Sequence, residues 1–167
     1  MQLLVNVDVN DLASAVTFYC NAFDLTVGRR FGGDGVELLG ASSAIYLLLK
    51  AEGSSTSDFT SQRRTYKRHW SPVHLDFVVP EIESAVRRAV LAGATIETPI
   101  QTSKWGRLAL MADPFGHGFC LVQFLGRGYD EIAHRVQLAK LWRDAPPSFN
   151  RGRLPVSPLR RMLGSTT

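Results

Sequence analysis

Residues 3–16, LLVNVDVNDLASAV, and residues 73–86, VHLDFVVPEIESAV, follow one pattern at an offset of 70 positions. At that offset Val9 lies over Val79, Asp11 over Glu81 and Leu12 over Ile82, while Ser14, Ala15 and Val16 lie over Ser84, Ala85 and Val86. Self-similarity at a fixed spacing marks a repeated structural unit. Each copy opens with apolar and polar residues in alternation, the period of a strand with two unlike faces. Each then changes to helical spacing, with Leu12, Ala15, Val16, Tyr19 and Phe23 in the first copy and Ile82, Ala85, Val86, Ala89 and Val90 in the second. Such spacing gives one apolar stripe per helix. Asp11 suits an N-cap, and Pro80 before Glu81 suits a helix start.

Three short strand-like runs follow each helix: TVGRRF (26–31), GVELLG (35–40) and AIYLLLK (44–50), then ATIETPI (94–100), GRLALMA (106–112) and FCLVQF (119–124). Turns rich in glycine or polar residues, such as GGDG and DPFGHG, separate several of them. Both copies therefore read β-α-β-β-β, and the fold class is α+β. The expected organisation is a first module over 1–53, a polar basic linker over 54–71, a second module over 72–126, a helix over 127–145 and a Pro-rich basic tail over 146–167. The RRTYKRH cluster at 63–69 reads as a solvated loop. Asp113, Pro114 and Gly116 read as turn residues and nothing more.

The chain has 167 residues, 45% of them apolar and 20% charged, which suits one hydrophobic core or two small modules sharing one. The net charge is +4, but residues 1–129 hold 12 basic and 12 acidic side chains while 130–167 hold 7 and 3. The body thus lacks the basic face of a nucleic-acid binder, and no nucleic-acid partner is expected. No apolar run approaches the roughly 18 residues of a membrane span. The start MQLLVNVDVND lacks a basic leader region, so a cytoplasmic location is expected. Cys20 and Cys120 stand in apolar segments without paired spacing, as reduced buried thiols do.

Two tandem β-α-β-β-β modules, His74 opening a strand, and DPFGHGFCLVQF before the last strand resemble the vicinal oxygen chelate superfamily, which includes glyoxalase I, extradiol dioxygenases and bleomycin resistance proteins. The resemblance implies a curled, mostly antiparallel sheet with a concave cleft, and a homodimer. In metal-dependent members the first and last strands of the modules supply the ligands. Those positions fall here on Leu4, Tyr46, His74 and Cys120, and only His74 is an expected donor. A catalytic divalent ion needs about three protein donors, so no metal or other cofactor is expected. The alternative is one divalent metal on His74 and Asp76, completed by His117 or Cys120, although His117 is expected to face solvent.

Strand alternation puts Leu4, Asn6 and Asp8 on one face, and His74 and Asp76 on the matching face of the second module. Asn6, Asp8, Tyr46, His74, Asp76, Trp105, Cys120 and Phe124 are the candidate ligand-binding residues, with Lys50 a possible partner for the carboxylates. Inward carboxylates must be paired or solvated. Cys120 reads first as a small buried apolar side chain, and His74 either contacts a ligand or bonds to Asp76 or Tyr46. The expected function is binding of a small, largely apolar molecule without a metal, as in the bleomycin resistance branch, which makes antibiotic resistance the expected setting. The alternative is a lyase, isomerase or dioxygenase using His74 and Asp76 for proton transfer.

Overall fold

The computed structural model describes residues 1–133; the expected tail and most of the expected C-terminal helix lie outside the described residues. The elements run β1 (Val5–Val9), α1 (Leu12–Phe23), β2 (Thr26–Phe31), β3 (Gly35–Leu39), β4 (Ile45–Leu49), β5 (Leu75–Val78), α2 (Ile82–Ala92), β6 (Thr95–Thr102), β7 (Gly106–Ala112) and β8 (Gly118–Phe124), with a short 3-10 turn at Gly128–Glu131. They form two four-stranded sheets with matching orders, β1-β4-β3-β2 and β5-β8-β7-β6. In each the first strand pairs parallel to the last and the other pairings are antiparallel. The repeat in the sequence is thus a repeat in the fold.

Local chemistry accounts for the helix ends. The Asp11 carboxylate accepts from the Ser14 N–H, and Glu81 accepts from the Glu83 and Ser84 N–H groups. Such caps stabilise a helix by about 1 kcal/mol each. Helix α1 ends at Asp24 in the left-handed conformation, and α2 ends at Gly93. The helical stripes meet the inner faces of both sheets in one core of Val7, Val9, Phe18, Val36, Leu38, Leu47, Ile82, Ala89, Met111, Phe119, Leu121 and their neighbours. Burying each large apolar side chain there contributes about 1.5–3 kcal/mol.

Aromatic stacking and hydrogen bonds tie the modules together. Phe23 at the end of α1 stacks on Phe77 of β5 with ring centroids 3.9 Å apart, and Arg88 of α2 donates to the Ala22 carbonyl. Tyr19 of α1 donates its hydroxyl to Asp113 in the β7–β8 turn, 2.7 Å away, and both side chains are buried. Asp113 also accepts from the Phe115 and His117 N–H groups. Its role therefore exceeds the turn-forming one expected of it, because a carboxylate can collect several donors at once.

The basic linker cluster also differs from a solvated loop. Arg64 pairs with Asp8 at 2.6 Å, Arg68 pairs with Glu97, and the Tyr66 hydroxyl donates to the Lys50 carbonyl. The segment lies directly on the DPFGHG turn. Gly116 has φ +87°, and a Cβ there would collide with the Lys67 carbonyl, so both backbone sign and close approach require glycine.

Candidate functional site

The strand registers set one row of side chains across the helix-distal face of each sheet. In module one the row runs Asn6 of β1, Tyr46 of β4, Glu37 of β3 and Arg29 of β2. In module two it runs Asp76 of β5, Cys120 of β8, Leu110 of β7 and Thr98 of β6. Asn6 and Asp76 are 70 positions apart, and so are Leu4 and His74, so the rows are the two copies of one feature.

Module one uses its row internally. Glu37 is buried between Val36 and Leu38 and accepts from the Arg29 backbone N–H, the Arg29 guanidinium and the Tyr46 hydroxyl. The guanidinium, followed by the tyrosine hydroxyl, holds its carboxyl down to about 2. A β-bulge between Val27 and Arg30 turns Arg29 onto this face. Gly28 leaves room for the carboxylate, since a Cβ there would come 2.7 Å from Glu37 Oε2. Neither Arg29 nor Glu37 was singled out from sequence. The available signal was a lone charge inside the apolar run GVELL, which demands a partner, with two arginines in the preceding strand.

Among the described residues, no Lys or Arg pairs with the module-two row. His74 Nε2 lies 3.3 Å from Asp76 Oδ1, with the two side chains 53% and 39% exposed. Cys120 is buried beside them, opposite Asp76 in the β5–β8 register. One donor atom from each of the three lies within 4.8 Å of the others. Burial, then the Asp76 charge, pushes the Cys120 thiol up to about 11, so it is held protonated at neutral pH.

Between the sheets, β1 and β5 flank a groove of about 690 Å³. Val5, Val7, Leu75, Phe77 and Phe119 supply apolar wall, and Asn6, Asp8, Tyr19, His69, His74 and His117 supply the polar groups. His117 does not face solvent as expected. It is half-buried, and its Nε2 lies 2.8 Å from the Asp8 carbonyl, a contact that joins the β7–β8 turn to the end of β1.

The eight candidate residues therefore fall in four places. Asn6, Asp8 and His74 line the groove, with Leu4 at its edge. Tyr46 belongs to the Arg29–Glu37 cluster, while Asp76 and Cys120 stand behind His74 on the helix-distal face. Trp105 and Phe124 pack with Tyr129 at the far end of β8, with centroid separations of 4.8–6.2 Å. Phe124 is four residues beyond Cys120 along the strand, roughly 13 Å away. Asp8 takes Arg64, not Lys50, as its partner. Sequence reasoning missed Tyr19, His69 and His117 as groove residues: Tyr19 was absorbed into a helical stripe, and the two histidines were placed in exposed loops.

The family's ligand positions can be tested against this geometry. On the module-one side Leu4 has no donor atom, and the Tyr46 hydroxyl and Glu37 carboxylate are committed to Arg29. A metal shared between the modules therefore does not fit. On the module-two side the imidazole, carboxylate and thiol of His74, Asp76 and Cys120 are a donor set suited to a thiophilic divalent ion.

Known proteins place this architecture. Residues 4–122 match the glyoxalase-like domain family. An uncharacterized protein of Mycobacterium bovis is 35% identical over 120 residues, covering 69% of this chain and 78% of its own. An uncharacterized protein of Mycobacterium tuberculosis strain H37Rv has the same identity, covering 69% of each. Among solved structures, the fosfomycin resistance protein FosX from Listeria monocytogenes superposes with a TM-score of 0.60 at 16% identity, covering 80% of this chain and 98% of its own. TioX from Micromonospora sp. ML1 gives 0.59 at 19% identity, covering 75% and 99%. With its paired modules and seam groove, the chain belongs to the glyoxalase-like family of the vicinal oxygen chelate superfamily.

Proposed function

We propose that the chain binds a small, largely apolar molecule in the groove between β1 and β5, and that this binding needs no metal. The observation that carries the reading is the groove itself. Its volume of about 690 Å³ is that of a small-molecule site, and its wall is mainly aliphatic and aromatic with a few convergent polar groups. Apolar contact would supply most of the affinity, while Asn6 and the imidazoles of His69, His74 and His117 would orient the ligand's polar atoms. The Asp8 carboxylate is neutralised by Arg64, so the groove does not select strongly for cations. A sequestering role of the resistance-protein kind, and a homodimer, belong to the same reading.

A second reading rests on the 3.3 Å approach of His74 to Asp76 at the groove's edge. A carboxylate beside an imidazole is a proton-transfer pair, and a lyase or isomerase would use it on a ligand held against Leu75 and Phe77.

A thermal-shift panel of apolar compounds tests the first reading. A ligand at about 100 times its Kd adds about 2.7 kcal/mol, or roughly 5–10 °C for a domain of this size. At least one compound class is expected to stabilise the protein, with and without chelator. No stabilisation across the panel, or stabilisation that chelator abolishes, contradicts it.

A further inference from the structure

We infer that the linker between the modules forms an acid-binding vestibule at one end of the seam groove, and that the groove's ligand is an apolar molecule carrying a single negatively charged acid group. The inference rests on the groove reading and adds to it the chemical class of the ligand. It starts from two cavities that meet. Asp8, His69 and His117 line both the groove between β1 and β5 and a second cavity of about 480 Å³. The far wall of the second cavity comes from the linker and includes Arg63, Arg64 and Thr65.

Charge decides what the vestibule takes. Among its described lining residues Asp8 is the one carboxylate, and Arg64 neutralises it at 2.6 Å. Arg64 also donates to the Ser55 carbonyl, so its guanidinium is committed within the protein. Arg63 stands beside it with a weaker hold. Its guanidinium reaches the Gly53 carbonyl at 3.5 Å, and among the described residues no carboxylate pairs with it. One lining charge is therefore left over, and it is positive. A singly charged acid closes that balance, and a guanidinium holds a planar acid group through two parallel N–H···O bonds. Thr65 lines the same cavity; its Oγ1 accepts from the Lys67 N–H, which leaves its hydroxyl proton for an acid oxygen.

The two shared histidines form a neck between the apolar groove and this cationic wall. His117 Nε2 meets the Asp8 carbonyl at 2.8 Å, and His69 Nδ1 meets the Lys67 carbonyl at 3.1 Å. Each ring is thus held by one nitrogen on the backbone, and the rings stand edge to face with centroids 5.3 Å apart. The linker that carries His69 is pinned on both sides of the neck: the Tyr66 hydroxyl donates to the Lys50 carbonyl, and the His69 N–H donates to the Gly116 carbonyl. Walls fixed in advance lose little freedom when a ligand arrives. An amphipathic acid fits this layout, with its body against Val5, Val7 and Phe77 and its charge beyond the neck at Arg63.

Two fluorescent probes with one aromatic body test this on the full chain. 1-Anilinonaphthalene-8-sulfonate carries one fixed negative charge, and N-phenyl-1-naphthylamine is the same molecule without the sulfonate. Arg63→Gln should weaken the sulfonate about tenfold, the size of one lost charge-assisted hydrogen bond, and leave the neutral probe unchanged. Arg63→Lys, which keeps the charge, should recover part of the loss. Arg30→Gln makes the same change of charge at an exposed position of β2 outside both cavities and should alter neither probe. Arg63 is exposed, so its variants are expected to fold, which circular dichroism checks. Sulfonate affinity unchanged in Arg63→Gln, lowered equally in Arg30→Gln, or lowered no more than that of the neutral probe overturns the vestibule and leaves the groove reading standing. A wild type that binds the neutral probe but not the sulfonate does the same, whereas one that binds neither removes both.

Discussion

In module one the row Asn6, Tyr46, Glu37 and Arg29 crosses the helix-distal face of its sheet, and in module two the equivalent row is Asp76, Cys120, Leu110 and Thr98. The backbones that hold these rows have the same order and the same pairings. Their chemistry has diverged in opposite directions. Module one spends a buried carboxylate, a guanidinium and a phenol on one another, so the Glu37 carboxylate is committed inside the sheet. Module two places a carboxylate, a thiol and the neighbouring imidazole together, with no Lys or Arg beside them among the described residues. The duplicated halves thus carry two arrangements on one backbone: a polar cluster closed on itself in module one, and an imidazole, carboxylate and thiol set side by side in module two.

The first way to break the comparison is at the seam that both halves share. Phe23 packs against Phe18, Tyr19, Phe77 and Phe119. Phe23→Ala should cost about 3 kcal/mol in urea denaturation; a much smaller loss would mean the modules are held together by other contacts. Cys120 comes next. With its thiol near 11, alkylation at pH 8 should run about twentyfold slower than that of an ordinary thiol, before shielding is counted. Reaction at the rate of a free thiol would contradict the burial assigned to it.

Tyr19→Phe should cost about 1–2 kcal/mol, since it removes one hydrogen bond to a buried carboxylate that keeps its turn amides. The smallest expected effect concerns module one. The carboxyl of Glu37 is lowered from 4.5 to about 2 in the folded state. Its stabilisation is therefore present above about pH 4.5 and lost as pH falls toward 2. Arg29→Ala removes the main cause of that depression. Acid unfolding followed by circular dichroism should move to higher pH, by roughly half a unit. An unchanged midpoint would show that the module-one row is not a stabilising cluster.

Much of the fold was legible because it depends on local period and repetition. The 70-residue offset, the helical stripes and Asp11 as N-cap are all written in neighbouring residues. The pairing of Leu4 with His74 and of Asn6 with Asp76 also follows from the offset. What sequence hid were contacts between distant residues. Tyr19 and Asp113 are 94 positions apart, and Arg64 reaches Asp8 across 56. Arg29 reaches Glu37 only because a bulge re-aims it, and nothing in TVGRRF marks that bulge beyond its glycine. The groove was hidden for the same reason: it belongs to the gap between two edge strands, and alternation within one strand says nothing about its neighbour across a gap.

The central claim is that the seam groove, not the module-one face, takes an apolar ligand. A fluorescence titration with 1-anilinonaphthalene-8-sulfonate on three proteins tests it most directly: the wild type, Leu4→Trp at the groove, and Leu39→Trp on a comparably exposed strand end of module one outside it. The account expects saturable binding of one probe per chain, weakened about tenfold or more by Leu4→Trp and unchanged by Leu39→Trp. Equal binding by all three proteins, or no saturable binding by the wild type, would contradict it.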